Sequence, residues 1–204
     1  MKGWGTPLPD PGARQNYHHG DARQALIAAA SELLETLGAA GLSLRQLAER
    51  AGLSRQAPYN HFADKEALLA ELVRIGFERL SRELQEATGD SSGEAALAVA
   101  AEAYIAFARQ SPALFRLMFS RELVDRSRFP DAQAAAEATF SELAKVITTI
   151  VPAEQVEDSA LAAWCIVHGY ATLCNETELE PASQRKVRAT QFAHLFAASY
   201  PDQR

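Results

Sequence analysis

Arg55, Gln56 and Ala57 stand side by side at the start of a short predicted helix. A guanidinium there can donate two parallel bonds to guanine O6 and N7, a carboxamide can pair with adenine N6 and N7, and an alanine methyl can touch the methyl of thymine. Side chains at the N-terminus of a helix in the major groove are those that reach base edges, so this trio could read sequence. A second chemical grouping lies downstream. Tyr104, Phe107, Phe115, Met118, Phe119, Phe140, Trp164 and His168 form an aromatic-rich set with a few polar tips, the composition of a small-molecule cavity between helices, although any single member can equally be plain core. His168 has three readings: a ligand contact, a core histidine satisfied by a neighbour, or half a metal site with Cys165. His18 and His19 diverge as sequence neighbours and lack a third ligand, which favours packing or phosphate contact over metal. No nucleophile elbow, phosphate-cradling glycine loop, metal cluster or carboxylate pair stands at recognisable spacing, so neither an enzyme nor a cofactor is expected.

The elements that position the first trio are legible around it. Ser43 is a candidate N-cap with Gln46 three residues on, which starts a helix over 44–51. Gly52 allows a sharp turn, Leu53 can plug the corner, and Ser54 offers the cap for a second helix from Arg55. Asp64 caps a third. Helix, glycine turn, helix is the pattern of a helix-turn-helix. Pro58 is tolerated only in a first helical turn, so the helix either starts a residue late or lacks its first bond, which leaves the base-reading register open. A helix over 21–38 precedes the unit, with Leu26, Ala30, Leu33, Leu34 and Leu37 on one face as its floor.

Read with Asn16, Tyr17, His18, His19 and Gly20 before it, the stretch carrying SLRQLAERAGLS, YNHF and DKEALL resembles the DNA-binding region of the tetracycline-repressor-type (TetR) family of bacterial regulators, over roughly residues 16–70. The resemblance implies that Arg55, Gln56 and Ala57 read bases. It further implies that Tyr59, Asn60 and His61 clamp the DNA backbone, with Ser43 and Lys65 as further phosphate contacts. Tyr59 can also pack in part against the core. The commonest family pattern has an apolar residue other than proline where Pro58 stands. SPALFRLMFS and AAWCIVHGYATL resemble the C-terminal domain of a branch named for a Trp-His-Gly signature, here Trp164, His168 and Gly169.

The remaining chain reads as helix throughout. A long helix over 64–88 is a physical lever between the two parts, GDSSG at 89–93 is a loop, and helices are expected over 94–110, 112–119, 131–151, 154–178 and 182–200. The fold class is therefore all-α: a helix-turn-helix unit over 16–66 behind a flexible arm over 1–15, and a helical bundle over 67–204 for effector binding and dimerisation. Arg14 in the arm could enter a minor groove or have no role. Small residues on the last two long helices, among them Ala160, Ala163, Gly169, Ala171, Ala193 and Ala197, suit close approach to a symmetry mate.

The net charge of −6 is unevenly spread. Residues 1–66 hold seven basic and seven acidic side chains, so the remainder carries the whole deficit and the N-terminal third is the less repelled face for a polyanion. Cys165 and Cys174, nine residues apart on one helix, would lie ~13 Å apart and cannot pair. Residues 1–20 lack the apolar segment of a signal peptide and no apolar run approaches the ~20 residues of a membrane span, so the cytoplasm is expected and no membrane. These features together predict a homodimeric regulator, a repressor released from a palindromic operator on double-stranded DNA by a small apolar or amphipathic effector. The rivals are an architectural or protein-binding factor that keeps the helix-turn-helix as a scaffold, and an enzyme using the C-terminal pocket.

Overall fold

The computed structural model describes residues 19–177 and 179–200. The arm and Asn16, Tyr17 and His18 lie outside them. Among the described residues there are eight α-helices: α1 (His19–Gly41), α2 (Leu44–Arg50), α3 (Lys65–Thr88), α4 (Gly93–Gln110), α5 (Pro112–Phe119), α6 (Pro130–Ile147), α7 (Val156–Thr177) and α8 (Arg185–Ala198). There is no strand among these residues, and no helix among them is long and apolar enough to cross a membrane.

The N-terminal unit forms because α1 and α2 each hide one stripe. Leu26, Ala30 and Leu34 are almost fully buried in one cluster with Leu47 of α2 and Phe62 beyond it. Leu37 was expected on this stripe and is instead 48% exposed: it lies in the last turn before Gly38, whose φ of 67° breaks the helix. Gly38 thus marks a kink rather than the predicted end. Arg50 of α2 grips Glu32 of α1 through one guanidinium nitrogen at 2.5 and 2.7 Å.

α3 runs out of this unit into the bundle, with Leu68, Leu69, Leu72, Phe77, Leu80 and Leu84 buried along it. It packs on α4, α5 and α6, while α4 packs on α7 and α8. Gly76 is what admits α5: a Cβ there would stand 2.7 Å from Met118 Sδ and 3.2 Å from Leu114 Cδ1. Helix ends differ from expectation where side chains compete with the ladder. The helix expected to run to Val151 stops at Ile147, where the Thr148 and Thr149 hydroxyls bond back to the carbonyls of Lys145 and Val146 at 2.7 Å each. Thr149 Oγ1 also accepts from the Gly93 N–H at 2.8 Å, closing the start of α4. The helices expected from Glu154 and Ala182 open with short 3-10 turns and become α-helical at Val156 and Arg185.

A candidate nucleic-acid interface and two ligand cavities

The capping chemistry that begins the helix-turn-helix is present in altered form. The Ser43 hydroxyl accepts from the Gln46 N–H at 3.3 Å, and its own proton goes to Gln46 Oε1 at 2.6 Å, so the reciprocal bond of a capping box runs to the hydroxyl rather than to the backbone. Gly52 turns the chain at φ 67°, and the Leu53 N–H closes the corner on the Ala48 carbonyl at 2.8 Å. Asp64 caps α3 by accepting from the Ala67 N–H at 2.8 Å.

The second helix departs most from expectation. An α-helix from Arg55 capped by Ser54 is replaced by a turn over Arg55 and Gln56 and a 3-10 helix over Ala57–Asn60, with Gln56 at its N-cap and no side-chain cap. Proline is the physical reason. It has no N–H to bond backward, so regular bonding starts late, and the buried Pro58 carbonyl then accepts from both His61 and Phe62. Pro58 thereby anchors the segment to the core while the residues around it face outward. Ser54, Arg55, Gln56, Tyr59 and Asn60 are exposed, Tyr59 at 55%, and Ala57 and His61 are half-buried.

Electrostatics separates the basic residues of this face. Arg50 is engaged by Glu32, Arg23 pairs with Glu71 and lies over the Phe62 ring, and Lys65 Nζ donates to the Ala40 carbonyl at 3.1 Å. Lys65 is thus tied to the end of α1. Arg45 and Arg55 make no ion pair among the described residues, which leaves two cations on this face open to a polyanion.

The eight aromatic and sulfur residues of the bundle separate into three groups. Tyr104, Phe140 and Trp164 line a narrow, almost wholly apolar cavity between α4, α6, α7 and α8, closed further by Leu97, Val167 and Phe196. Phe115, Phe119 and His168 line a second cavity, with Arg116, Ser120, Thr172, Asn175 and Glu176 around its mouth. The first has a volume of about 50 Å³ and the second about 260 Å³. Phe107 and Met118 were expected in the pocket and line neither. Phe107 is buried beneath the Arg79 guanidinium, 4.3 Å from its ring, and Met118 is packed onto Gly76.

A hydrogen-bonded triad divides the cavities. Trp164 Nε1 donates to the Tyr104 hydroxyl at 3.0 Å, and that hydroxyl lies 2.9 Å from His168 Nδ1. With Trp164 donating to it, the phenol has one proton of its own to place, and His168 Nδ1 is the acceptor in reach. Burial raises the Tyr104 pKa far above that of a free phenol, and burial lowers that of His168, so both are neutral. The imidazole therefore carries its proton on Nε2. His168 is thus a satisfied core histidine on one edge and lines a cavity with the other. The metal reading gains nothing: among the described residues no group of three or more His, Cys, Asp or Glu is placed to hold an ion.

Three features were missed in sequence. Ser111 sits at the N-cap of α5 as expected, yet its hydroxyl accepts from Arg79 at 2.7 Å. The open amides of α5, those of Ala113 and Leu114, instead donate to the two carboxylate oxygens of Glu35 on α1 at 3.1 Å each. The available signal was negative: position N3 of α5 is Leu114, so no capping-box partner exists within the helix. Glu66, at the start of α3, accepts from the Asp125 N–H at 3.2 Å and pairs with Arg128 across a sequence separation too long to foresee. The polar mouth of the second cavity is assembled from α5 and α7 and has no local motif.

Comparison with known proteins agrees with this architecture. Residues 26–72 match the model of bacterial regulatory proteins of the tetR family, and residues 97–198 match that of the tetracyclin repressor-like C-terminal domain. A protein with unknown function from Rhodococcus sp. RHA1 shares 32% identity and superposes with a TM-score of 0.75, over 91% of this chain and 98% of that one. The tetracycline repressor protein class C of Escherichia coli is 50% identical over 51 residues, 25% of this chain and 23% of its own length. The HTH-type transcriptional regulator YobS of Bacillus subtilis (strain 168) is 27% identical over 96 residues, 47% of this chain. The chain thus spans half the length or less of these two curated relatives. With both halves matched in order and a helix-turn-helix set on an all-helical bundle, the chain belongs to the TetR family of bacterial transcriptional regulators.

Proposed function

We propose that this protein is a homodimeric, sequence-specific DNA-binding regulator, a repressor whose hold on a palindromic operator is released by a small apolar or amphipathic effector, acting in the cytoplasm without catalysis of its own. The observation that carries the reading is the face built around Pro58. Arg55 and Gln56 stand exposed and Arg55 has no ion pair among the described residues, while Pro58, Phe62 and Leu47 are buried. Rigid support under exposed base-reading side chains is what a recognition element needs. Residues 16–66 form the DNA-binding unit in this proposal and 67–204 the effector and dimer unit. Ser43, Ser54, Tyr59, Asn60, His61 and Lys65 contact the DNA backbone. Ser43 and Lys65 must each exchange an internal hydrogen bond to do so.

Dimerisation is supported by exposed apolar side chains on α7 and α8, Leu161, Leu173, Val187 and Leu195, the last 65% exposed. One such unit reads only a half-site, and two must be held about 34–36 Å apart to meet successive major grooves. The small residues of α7 suit a close helix pair. Effector binding is assigned to the two cavities of the bundle.

The test is binding to duplex DNA from immediately upstream of the protein's own gene, against random duplex at two salt concentrations. Saturable binding of a dimer that weakens with salt yet keeps its preference is expected. Arg55→Ala then relaxes discrimination at one base position by about 1–3 kcal/mol, whereas Tyr59→Phe weakens all sequences alike. Equal, weak binding to both duplexes and indifference to both substitutions would favour an architectural role instead.

A further inference from the structure

The mouth of the second cavity holds hydrogen-bonding groups that the protein itself does not use. Asn175 donates through Nδ2 to the Ala108 carbonyl at 2.9 Å, which fixes the carboxamide and leaves Oδ1 as an acceptor with no partner among the described residues. The hydroxyls of Ser120 and Thr172 have no hydrogen-bond partner among the described residues, and there His168 spends only Nδ1. None of these atoms belongs to the buried unsatisfied polar groups, and their residues line the cavity. Beneath them the Phe115 and Phe119 rings lie 5.2 and 4.4 Å from the imidazole, centroid to centroid.

Resting on the effector-responsive reading above, we propose that this cavity binds a compact, flat apolar molecule through an uncharged carbonyl group, an amide or ester, whose oxygen accepts the His168 Nε2 proton. The donor is set by its neighbours. Trp164 donates to Tyr104, Tyr104 donates to His168 Nδ1, and the one proton of a neutral imidazole is left on Nε2. A carbonyl oxygen completes that chain, and the Phe115 and Phe119 rings receive the body of the molecule. An amide N–H has its own acceptor in Asn175 Oδ1. A carboxylate fits less well: it would lose its hydration against the two rings in exchange for a neutral donor, and Arg116 is an exposed residue at the rim. The mouth offers one cation and one anion, Arg116 and Glu176, so it has no net field to favour an anionic head. Tyr104 is the positioning residue of this site, because without its hydroxyl the imidazole is free to move its proton to Nδ1.

The test uses four probes with one body, 2-naphthamide, methyl 2-naphthoate, 2-naphthoate and 2-methylnaphthalene, titrated calorimetrically into the full-length protein without DNA. The amide and ester should bind about tenfold tighter than the carboxylate and the hydrocarbon, the worth of one buried hydrogen bond. His168→Phe should bring the amide-to-hydrocarbon ratio close to one, and Tyr104→Phe should reduce it while imidazole ¹⁵N shifts report loss of the single Nε2–H tautomer. A carboxylate that binds as well as the amide, a ratio that survives His168→Phe, or no binding by any probe overturns the proposal. Because DNA is absent, operator release by some other compound would leave the regulator reading standing when the carbonyl site fails.

Discussion

Glu35 is where a side chain of the helix-turn-helix unit closes the end of a bundle helix, and its removal has a calculable effect. Its two carboxylate oxygens accept from the Ala113 and Leu114 amides at 3.1 Å each, which supplies α5 with the cap its own sequence lacks. Losing a side-chain N-cap destabilises a protein by about 0.5–2 kcal/mol, and a negative charge at a helix N-terminus contributes a further ~0.3–1 kcal/mol at low salt. Glu35 is an exposed residue, which places the sum in the lower half of that range, at about 1.5 kcal/mol for Glu35→Ala. In a chain of this size that corresponds to a midpoint lower by ~3–6 °C. Glu35→Gln keeps one acceptor and loses the charge, so about half the effect should remain, with less dependence on salt. Urea unfolding measures the total. Amide hydrogen exchange at Ala113 and Leu114 measures the cause, because these two positions should lose protection ahead of their neighbours in α4. A Glu35→Ala protein within about 0.3 kcal/mol of the parent, with both amides still protected, would refute the cap.

Tyr104→Phe removes the centre of the triad and leaves Trp164 Nε1 and His168 Nδ1 without their partner; a loss of about 1–3 kcal/mol in urea unfolding is expected, and an unchanged midpoint would show that water takes over the role. Gly76→Ala sets helix propensity, a gain of about 1 kcal/mol, against overpacking on the buried Met118 and on Leu114. The overlap should win, for a net loss near 1 kcal/mol, and a more stable variant would mean that α5 can yield. Burial lowers the His168 pKa, so as pH falls below about 6.5 the unfolded chain takes up that proton first and stability declines; His168→Phe should flatten that part of the urea midpoint profile, and an identical slope would show the imidazole to be hydrated. The carboxyl of Glu71 is held low by its hydrogen bond to Arg74, so its contribution is complete above the ordinary carboxylate range and fades as pH drops through it; Glu71→Gln should lose stability at pH 7 and converge with the parent near pH 3.

What the sequence disclosed is what depends on near neighbours. Ser43 with Gln46, Gly52 at the corner and Asp64 before α3 are local signals, and each stands in the fold where the pattern placed it. The long α3 was readable because its apolar residues recur at helical spacing. Pro58 was seen as a break in the pattern, but its consequence, a 3-10 segment with its carbonyl doubly engaged, depends on burial against a core that a one-dimensional reading does not contain. Leu37 shows the opposite error. Its spacing is perfect for the stripe, yet it stands in the last turn before the break at Gly38 and is exposed, since spacing fixes the face of a helix and not how far along it the covering partners reach.

The cavity residues were found as a set and missorted as individuals, for a reason that bears on mechanism. Aromatic composition marks the bundle interior, but whether a ring lines a cavity or fills the core is decided by which helix faces it. Met118 fills the close approach that Gly76 opens, while Phe115 and Phe119 of the same eight-residue helix face His168. α5 therefore touches three things at once: the α1 carboxylate at its N-terminus, the α3 backbone through Gly76, and the wall of the second cavity through its two rings. A molecule that displaces those rings works against a helix tied at its other end to the recognition unit. Shortening α5 by one turn would separate these contacts, whereas lengthening the loop after Phe119 would leave all three in place. Pro112–Phe119 thus joins α1 to the wall of the second cavity, and Glu35→Ala removes the α1 contact while leaving the Gly76 approach and the two rings in place.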